Sequence, residues 1–136
     1  MQSITVYGIA NCDTVKKARA WLDEHQAVYT FVDFKKTGVP TDRLGAWANA
    51  LGWGMLINRR GTTWRKLDGA MQAGANTSIG AQKLALTMPS VIKRPVVEWA
   101  DIKITAGFDA AQFLEALRSV IALKPMVLNQ NSPNQS

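Results

Sequence analysis

The sequence predicts an α/β protein with a mixed sheet, built from a βαβ unit, a helical block and a closing ββα unit. Two β-rich segments flank an amphipathic helix within the first 34 residues. Strand character then disappears from residue 35 to residue 89, and it returns in two short segments that precede a last amphipathic helix. Because a βαβ unit has parallel strands and a hairpin has antiparallel strands, the sheet that contains both is mixed.

The composition indicates one globular domain. Of the 136 residues, 47% are apolar and five are tryptophan, which is enough for a hydrophobic core and excludes collagen-like, coiled-coil and wholly disordered chains. No run approaches the roughly 18 uninterrupted apolar residues that cross a bilayer. The first residues also lack the basic start and apolar run of a secretion signal. We therefore expect a cytoplasmic protein without a membrane partner.

The first half of the chain contains the clearest elements. Residues 3–8 and 28–34 are rich in β-branched and aromatic side chains, which predicts two strands. Between them, over about 13–26, apolar residues recur on one helical face, at Val15, Ala18 and Leu22. A strand, helix and strand of this length form a βαβ unit.

The middle of the chain, at about residues 39–90, is predicted to be a helical insertion. One helix begins near Thr41 and ends at Gly52. Thr77 is placed to cap a second helix that continues to about Thr87.

The closing unit is a hairpin followed by a helix. Residues 96–97 and 102–104 have strand character, and Asp109 is placed to cap the helix. The apolar face of that helix is predicted to hold Phe113, Leu117, Val120 and Ile121. We expect one domain over residues 1–123 and a polar tail over 124–136 that does not need to fold.

The net charge of +6 is concentrated in a few segments. From Arg43 to Lys66 there are five basic residues and no acidic residue, and Lys93 and Arg94 form a second basic pair. Clustered cations can neutralise the phosphates of nucleic acid, but so local a cluster also suits a small anionic ligand. Basic residues alone are weak evidence, so we do not expect nucleic acid as a partner.

Cys12 is the strongest candidate for chemistry. It lies between the first strand and the first helix, where unpartnered backbone N–H groups and the helix dipole favour the thiolate. The sequence has no other cysteine and one histidine, so it offers no intramolecular disulfide and no recognisable metal site. The alternative is that Cys12 is an inert buried residue, the usual fate of a single cysteine.

The segment around Cys12 is a monothiol version of a redox dithiol site. A dithiol site would carry a second cysteine three positions on, where this chain has Val15. An outside thiol must therefore resolve a mixed disulfide on Cys12, and glutathione is the abundant cytosolic choice. We expect glutathione as a co-substrate and no tightly bound cofactor.

Two basic clusters could bind an anion beside Cys12. Residues 58–66 form the densest polar segment, and Lys93, Arg94 and Pro95 form the second cluster. Guanidinium groups bind carboxylates and oxyanions through paired hydrogen bonds. A solvated surface position is the alternative for any one arginine, but a cis peptide bond before Pro95 could lock Arg94 beside the active-site turn.

Five short segments occur together in this chain. They are VYGI at 6–9, NCDT at 11–14, KKA at 16–18, GTTWRKL at 61–67 and IKRP at 92–95. In this order they resemble the ArsC-like arsenate reductase family, and most closely its Spx/YffB branch. The resemblance spans about residues 3–120. It implies a thioredoxin-like fold with a helical insertion, in agreement with the order of elements above.

The resemblance also implies roles for individual residues. Cys12 would be the nucleophile and Arg94 an anion-binding residue. Pro95 would be the thioredoxin-type cis proline, and Asn11 and Thr14 would join the substrate or anion site from the cysteine motif.

The family's middle arginine has no unique counterpart here. It aligns with Asn58, Arg59 or Arg60, and we favour Arg60 because a glycine follows it. Arsenate reductases of this type also have a histidine at the position of Gly8 and an arginine near Gly107. These departures weigh against arsenate as the substrate.

The leading hypothesis is a monothiol, glutathione-dependent thiol reductase, the activity that the YffB-like branch implies. In it the Cys12 thiolate attacks an oxidised or glutathionylated substrate, and glutathione regenerates the thiolate. One alternative is arsenate reduction. The other is a non-enzymatic regulator of the Spx kind that binds RNA polymerase through the helical insertion. We expect a monomer whose partners are glutathione and a small thiol or oxyanion substrate.

Overall fold

The structure, a computed structural model, describes residues 3–131 and the side chains of residues 3–122. It is the predicted α/β arrangement, a four-stranded mixed sheet with helices around it. The strands are β1 (Ile4–Gly8), β2 (Tyr29–Asp33), β3 (Val96–Trp99) and β4 (Lys103–Ala106), in the spatial order β2-β1-β3-β4. Strands β1 and β2 are parallel, whereas β3 pairs antiparallel with both β1 and β4.

The first βαβ unit follows the sequence prediction closely. Helix α1 (Asp13–Glu24) connects β1 to β2, and the three apolar residues of its predicted face are fully buried: Val15, Ala18 and Leu22. Strand β2 begins one residue after Val28, which is 89% exposed. Gly8 packs so closely on α1 that a Cβ there would lie 2.9 Å from a methyl group of Val15. Glycine at this position therefore lets α1 begin directly against the sheet.

Helices fill the chain between β2 and β3. They are α2 (Phe34–Thr37), α3 (Thr41–Leu51), α4 (Trp53–Leu56), α5 (Thr62–Arg65), α6 (Gly69–Gly74) and α7 (Ser78–Thr87), followed by a 3-10 turn (Pro89–Val91). Helices α3 and α7 lie where the sequence predicts them, with the Thr77 hydroxyl accepting a hydrogen bond from the N–H of Gly80. The other four helices have six residues or fewer, too few for a recognisable apolar period.

The partly buried carboxylate of Glu98 fastens α3 to the sheet. Glu98 on β3 accepts hydrogen bonds from Arg43 Nε at 2.7 Å, from Trp47 Nε1 at 2.8 Å and from the Tyr7 hydroxyl at 3.3 Å. Burial and the adjacent Glu98 charge raise the pKa of Tyr7, so its hydroxyl keeps its proton and remains a donor. Because removing a carboxylate from water is costly unless it is paired and hydrogen-bonded, the three donors offset the cost of partly burying Glu98.

Each face of the sheet carries its own apolar core. Val6, Val97 and Trp99 face α1 and the closing helix, whereas Tyr7 and Val96 face the inserted helices. This alternation is the two-residue period of a strand buried on both sides. The site described below lies at the end of β1, between the two cores.

The closing helix α8 (Ala110–Asn131) begins after Asp109, whose carboxylate accepts hydrogen bonds from the N–H groups of Ala111 and Gln112, as predicted. Three of the four residues predicted for its apolar face are buried: Phe113, Leu117 and Val120. Ile121 is 51% exposed, so that part of the prediction is wrong. Eight positions after Phe113, it is turned about 80° around the helix and away from the sheet.

Helix α8 also continues into the segment expected to be a tail. It ends at Asn131, so residues 124–131 are helical in the structure, because adding residues to an existing helix costs far less than starting one. Residues 132–136 lie outside the described residues. Within the described part of the chain, no helix is both long and apolar enough to cross a membrane.

Candidate active site

Cys12 lies at the end of the sheet, in the connection between β1 and α1. It is the N-cap residue of α1, with an extended backbone (φ −140°, ψ 125°). Its carbonyl accepts the first helical hydrogen bond, from the N–H of Lys16 at 2.9 Å. The side chain is a free, partly exposed thiol. Cys12 therefore combines access from solvent with the helix N-terminal position that the sequence predicts.

The pKa of the Cys12 thiol is lowered from its ordinary value. Burial of the sulfur raises the pKa, but donors that stabilise the thiolate outweigh this effect. These donors are the backbone N–H of Val15, the guanidinium of Arg94 and the backbone N–H of Thr14. Arg94 acts both through a hydrogen bond and through its charge. Since the thiolate is the reactive form, a larger fraction of Cys12 is nucleophilic at neutral pH.

Arg94 is held in place by backbone carbonyls. Its Nη1 donates to the carbonyl of Ser90 at 2.7 Å and to that of Ile92 at 3.3 Å. These contacts orient the guanidinium without neutralising it, because a carbonyl carries no net charge. Its Nε is buried and has no hydrogen-bond partner among the described residues. Arg94 therefore keeps its positive charge beside Cys12.

Pro95 follows Arg94 through a cis peptide bond, as the sequence analysis predicts. Its ring is buried, and its carbonyl accepts a hydrogen bond from the N–H of Gly107 at 2.9 Å. Pro95 thereby joins the start of β3 to the loop between β4 and α8.

The basic segment 58–66 is brought to the same end of the sheet by backbone pairing. Ile57 and Ile92 form an isolated antiparallel bridge. The N–H of Asn58 donates to the carbonyl of Val91 at 2.7 Å. The two basic clusters are therefore neighbours in the structure, although 34 residues separate Asn58 from Ile92 in the sequence.

The two arginines predicted to bind an anion lie in different environments. Arg94 acts on the Cys12 thiol. Arg60 is exposed and lies with Arg59 and Lys93 along a neighbouring cavity that Cys12 does not line. After the bridge at Ile57 the chain turns outward, which carries the Arg60 side chain to the surface. A role for Arg60 in binding an anion at the thiol stays a prediction.

Asn11 and Thr14 flank Cys12, and both side chains are exposed. Thr14 acts on the thiol through its backbone N–H rather than through its hydroxyl. The sequence places Val15 on the apolar face of the helix and at the position of the missing second cysteine. Its N–H is one of the unpartnered helix N–H groups predicted to favour the thiolate, and the structure shows that it lowers the pKa of Cys12.

The two glycines that depart from the family pattern have structural reasons. Gly8 has no room for a Cβ beside Val15. Gly107 has φ +85°, a left-handed conformation that favours glycine, and a Cβ there would lie 2.8 Å from Cε of Lys93. A histidine at the first position or an arginine at the second would therefore displace its neighbours.

The histidine and two tryptophans near the basic segment and α1 lie outside this site. His25 is exposed at the far end of α1, where it stacks on Trp21 with ring centroids 3.7 Å apart. Trp53 and Trp64 pack against the core of the inserted helices, as expected for packing residues. Among residues 3–122, no three His, Cys, Asp or Glu side chains are grouped as a metal site would require.

Comparison with known proteins places this site in a family. The model of the ArsC family matches residues 7–116. The chain belongs to the ArsC family. A solved structure named YFFB protein is 43% identical, with a TM-score of 0.78 over 85% of this chain and 99% of its own. This similarity confirms the thioredoxin-like fold that the resemblance implied.

Two further relatives come from Brucella melitensis and Haemophilus influenzae. An arsenate reductase (ArsC) related protein from Brucella melitensis is 45% identical, with a TM-score of 0.66 over 82% of this chain and 91% of its own. An uncharacterized protein of Haemophilus influenzae is 38% identical over 113 residues, which are 83% of this chain and 97% of that protein. This ArsC-family chain thus matches nearly the full length of each relative.

Replacing Arg94 with methionine is expected to raise the pKa of Cys12, because it removes a hydrogen bond and a charge that both stabilise the thiolate. When thiolate absorbance near 240 nm is followed as a function of pH, the midpoint of the titration should move to higher pH. Arg60→Met removes the same charge from a more distant place and should leave the midpoint nearly unchanged. A wild-type midpoint at or above about 8.5, or equal shifts in both variants, would contradict this account.

Proposed function

We propose that this ArsC-family protein is a monothiol, glutathione-dependent thiol reductase. The observation that carries the proposal is the state of Cys12, an accessible N-cap thiol whose pKa is lowered by Arg94 and by two backbone N–H groups. The sequence holds no second cysteine. Such a thiol can attack a disulfide but cannot resolve the product within its own chain.

The proposed reaction has two exchange steps. The Cys12 thiolate attacks the glutathione sulfur of a mixed disulfide, forming a new disulfide with glutathione and releasing the substrate as a thiolate that takes a proton from water. A second glutathione thiolate then attacks the glutathione sulfur on Cys12, which yields oxidised glutathione and the free Cys12 thiolate. Two glutathionyl groups leave as one disulfide, and the substrate sulfur is reduced.

The lowered pKa of Cys12 serves both steps. In the first step it increases the thiolate available for attack at neutral pH. In the second step Cys12 is the leaving group, and a thiol of lower pKa leaves faster. The charge of Arg94 stabilises the departing thiolate. Because this chemistry draws on a cytosolic glutathione pool, we place the protein in the cytoplasm.

Arsenate reduction is the second candidate, favoured by the similarity to the arsenate reductase related protein of Brucella melitensis. Cys12 would attack an arsenate oxyanion held by Arg94. Gly8 and Gly107 supply no side chain to such an oxyanion. Gly8 has no room for a Cβ beside Val15, and Gly107 has a left-handed backbone that favours glycine. The site therefore suits a disulfide substrate better than a compact oxyanion with several charges.

A coupled assay with glutathione, NADPH and glutathione reductase tests this proposal. We expect NADPH oxidation when a glutathionylated peptide is the substrate and only background oxidation with arsenate. Faster turnover of arsenate than of the peptide would make the protein an arsenate reductase. If neither substrate is turned over, the enzyme proposal is wrong, and the predicted binding to RNA polymerase, which does not need a thiolate, becomes the better account.

A further inference from the structure

A cationic groove runs along the surface next to the Cys12 site. Its cations are Arg59, Arg60 and Lys93, and its apolar wall includes Met55 and Ile57. The cavity that they line has a volume of about 490 Å³. No carboxylate lines it.

The three cations keep their charges available. The salt bridge among the described side chains joins Arg43 to Glu98, and no carboxylate of residues 3–122 lies within 4.0 Å of a groove cation. The guanidinium carbon of Arg59 lies 5.2 Å from the ring centroid of Trp64, a cation–π contact that orients the side chain without neutralising it. Three like charges held together attract an anionic partner.

Lys93 is the cation best fixed in place. Its Nζ lies 3.9 Å from the sulfur of Met55, and its Cε packs over Gly107. Both neighbours are uncharged. Lys93 and Met55 also line an adjoining cavity of about 330 Å³. That cavity is lined in addition by Asp109, whose carboxylate caps α8, so the carboxylate-free groove ends at Lys93.

The groove begins one residue along the chain from Arg94. Lys93 immediately precedes Arg94, the residue whose guanidinium acts on the Cys12 thiolate. Neighbouring residues of a trans chain are about 3.8 Å apart at Cα. Because an extended peptide spans about 3.3 Å per residue, residues that flank a sulfur bonded at Cys12 can extend to the groove.

We infer that this groove binds an acidic polypeptide segment, so that the preferred substrates are glutathionylated cysteines with aspartate or glutamate nearby. The inference rests on the proposed function and names its substrate class. Paired hydrogen bonds from two arginines suit carboxylates, and the apolar wall of Met55 and Ile57 suits the rest of a peptide. A nucleic acid is a poorer fit, because three cations neutralise few phosphates and Trp64 is buried rather than open for stacking.

Binding can be measured apart from turnover with the Cys12→Ser protein, which keeps the groove and lacks the thiol. The probes are fluorescein-labelled peptides that carry serine in place of cysteine, flanked by glutamate, by glutamine or by lysine. We expect fluorescence anisotropy to show the glutamate peptide bound at least about tenfold more tightly than the glutamine peptide, with the difference shrinking as NaCl is added.

A matched pair of charge variants locates the binding. Arg59→Gln, Arg60→Gln and Lys93→Gln together should abolish the preference for the glutamate peptide. A control with Lys36→Gln, Lys83→Gln and Arg118→Gln loses the same three charges from exposed positions outside the groove and should keep the preference. Equal affinities for the glutamate and glutamine peptides, or a preference that survives in the groove variant, would overturn the inference.

Competition and turnover complete the test. Displacement of the peptide by a short single-stranded RNA at lower concentration, or by millimolar glutathione, would assign the groove to those ligands and overturn the inference. With Cys12 present, the groove variant should reduce glutathionylated acidic and glutamine peptides at similar rates, whereas the control variant should keep the preference for the acidic peptide. If acidic peptides bind through the groove but no peptide is reduced, the groove is supported as a peptide site and the proposed reductase function fails.

Discussion

Cys12→Ser is expected to reduce glutathione-dependent turnover to the rate of uncatalysed exchange, a loss of at least about a thousandfold. A serine hydroxyl cannot form the mixed disulfide through which both proposed steps pass, and no other cysteine in the sequence can replace it. The substitution changes one partly exposed atom, so the fold should be kept.

Mass spectrometry checks the same prediction without turnover. After mild oxidation with glutathione, the wild-type protein should gain one glutathionyl group, and excess reduced glutathione should remove it. The Cys12→Ser protein should gain none. Its circular dichroism spectrum, matched to the wild type, is the control for folding. Substantial residual activity in a correctly folded Cys12→Ser protein would refute Cys12 as the nucleophile.

Trp99→Ala is expected to lower the free energy of unfolding by about 3–5 kcal/mol. The Trp99 side chain is fully buried, and its ring meets that of Phe113 edge to face at 4.9 Å. Its Nε1 donates to the hydroxyl of Thr105 at 3.0 Å. The substitution would leave a cavity between the sheet and α8 and a buried hydroxyl without its partner. The expected loss is a large part of the stability of a typical domain.

Urea unfolding followed by circular dichroism measures this loss. Trp99→Phe keeps an aromatic ring against Phe113 but removes the donor to Thr105, so its effect should be smaller than that of Trp99→Ala. Trp53→Ala, at a half-buried position on an inserted helix, is the matched control and should also cost less. A change under about 1 kcal/mol for Trp99→Ala would show that the core on this face does not depend on the tryptophan.

Much of the fold could be predicted because it depends on neighbours in the sequence. The buried face of α1, with Val15, Ala18 and Leu22, follows from helical spacing alone. Thr77 and Asp109 cap their helices as predicted, since a capping side chain binds an N–H only two or three residues away. The position of Cys12 at the start of α1 could be predicted for the same reason, because it depends only on neighbouring residues.

What the sequence could not show are contacts between distant segments. Pro95 distinguishes Arg94 from Arg60 in the sequence, but it does not show that Arg94 acts on the Cys12 thiol, 82 positions away, while Arg60 lies on the surface. Glu98 likewise gives no sign in the sequence that it binds Arg43, Trp47 and Tyr7. Such pairings depend on how strands and helices pack, and no local spacing rule encodes them.

By itself, then, the sequence determined the α/β class, the major helices and the candidate nucleophile, because propensity, capping and apolar spacing act over a few residues. The tertiary structure alone decided that Arg94, and not Arg60, acts on the Cys12 thiol, and which cations form the groove. The groove depends on the pairing of Ile57 with Ile92, which brings together two basic segments that are 35 positions apart in the sequence. Charges act through space, so their partners are set only when the chain has folded.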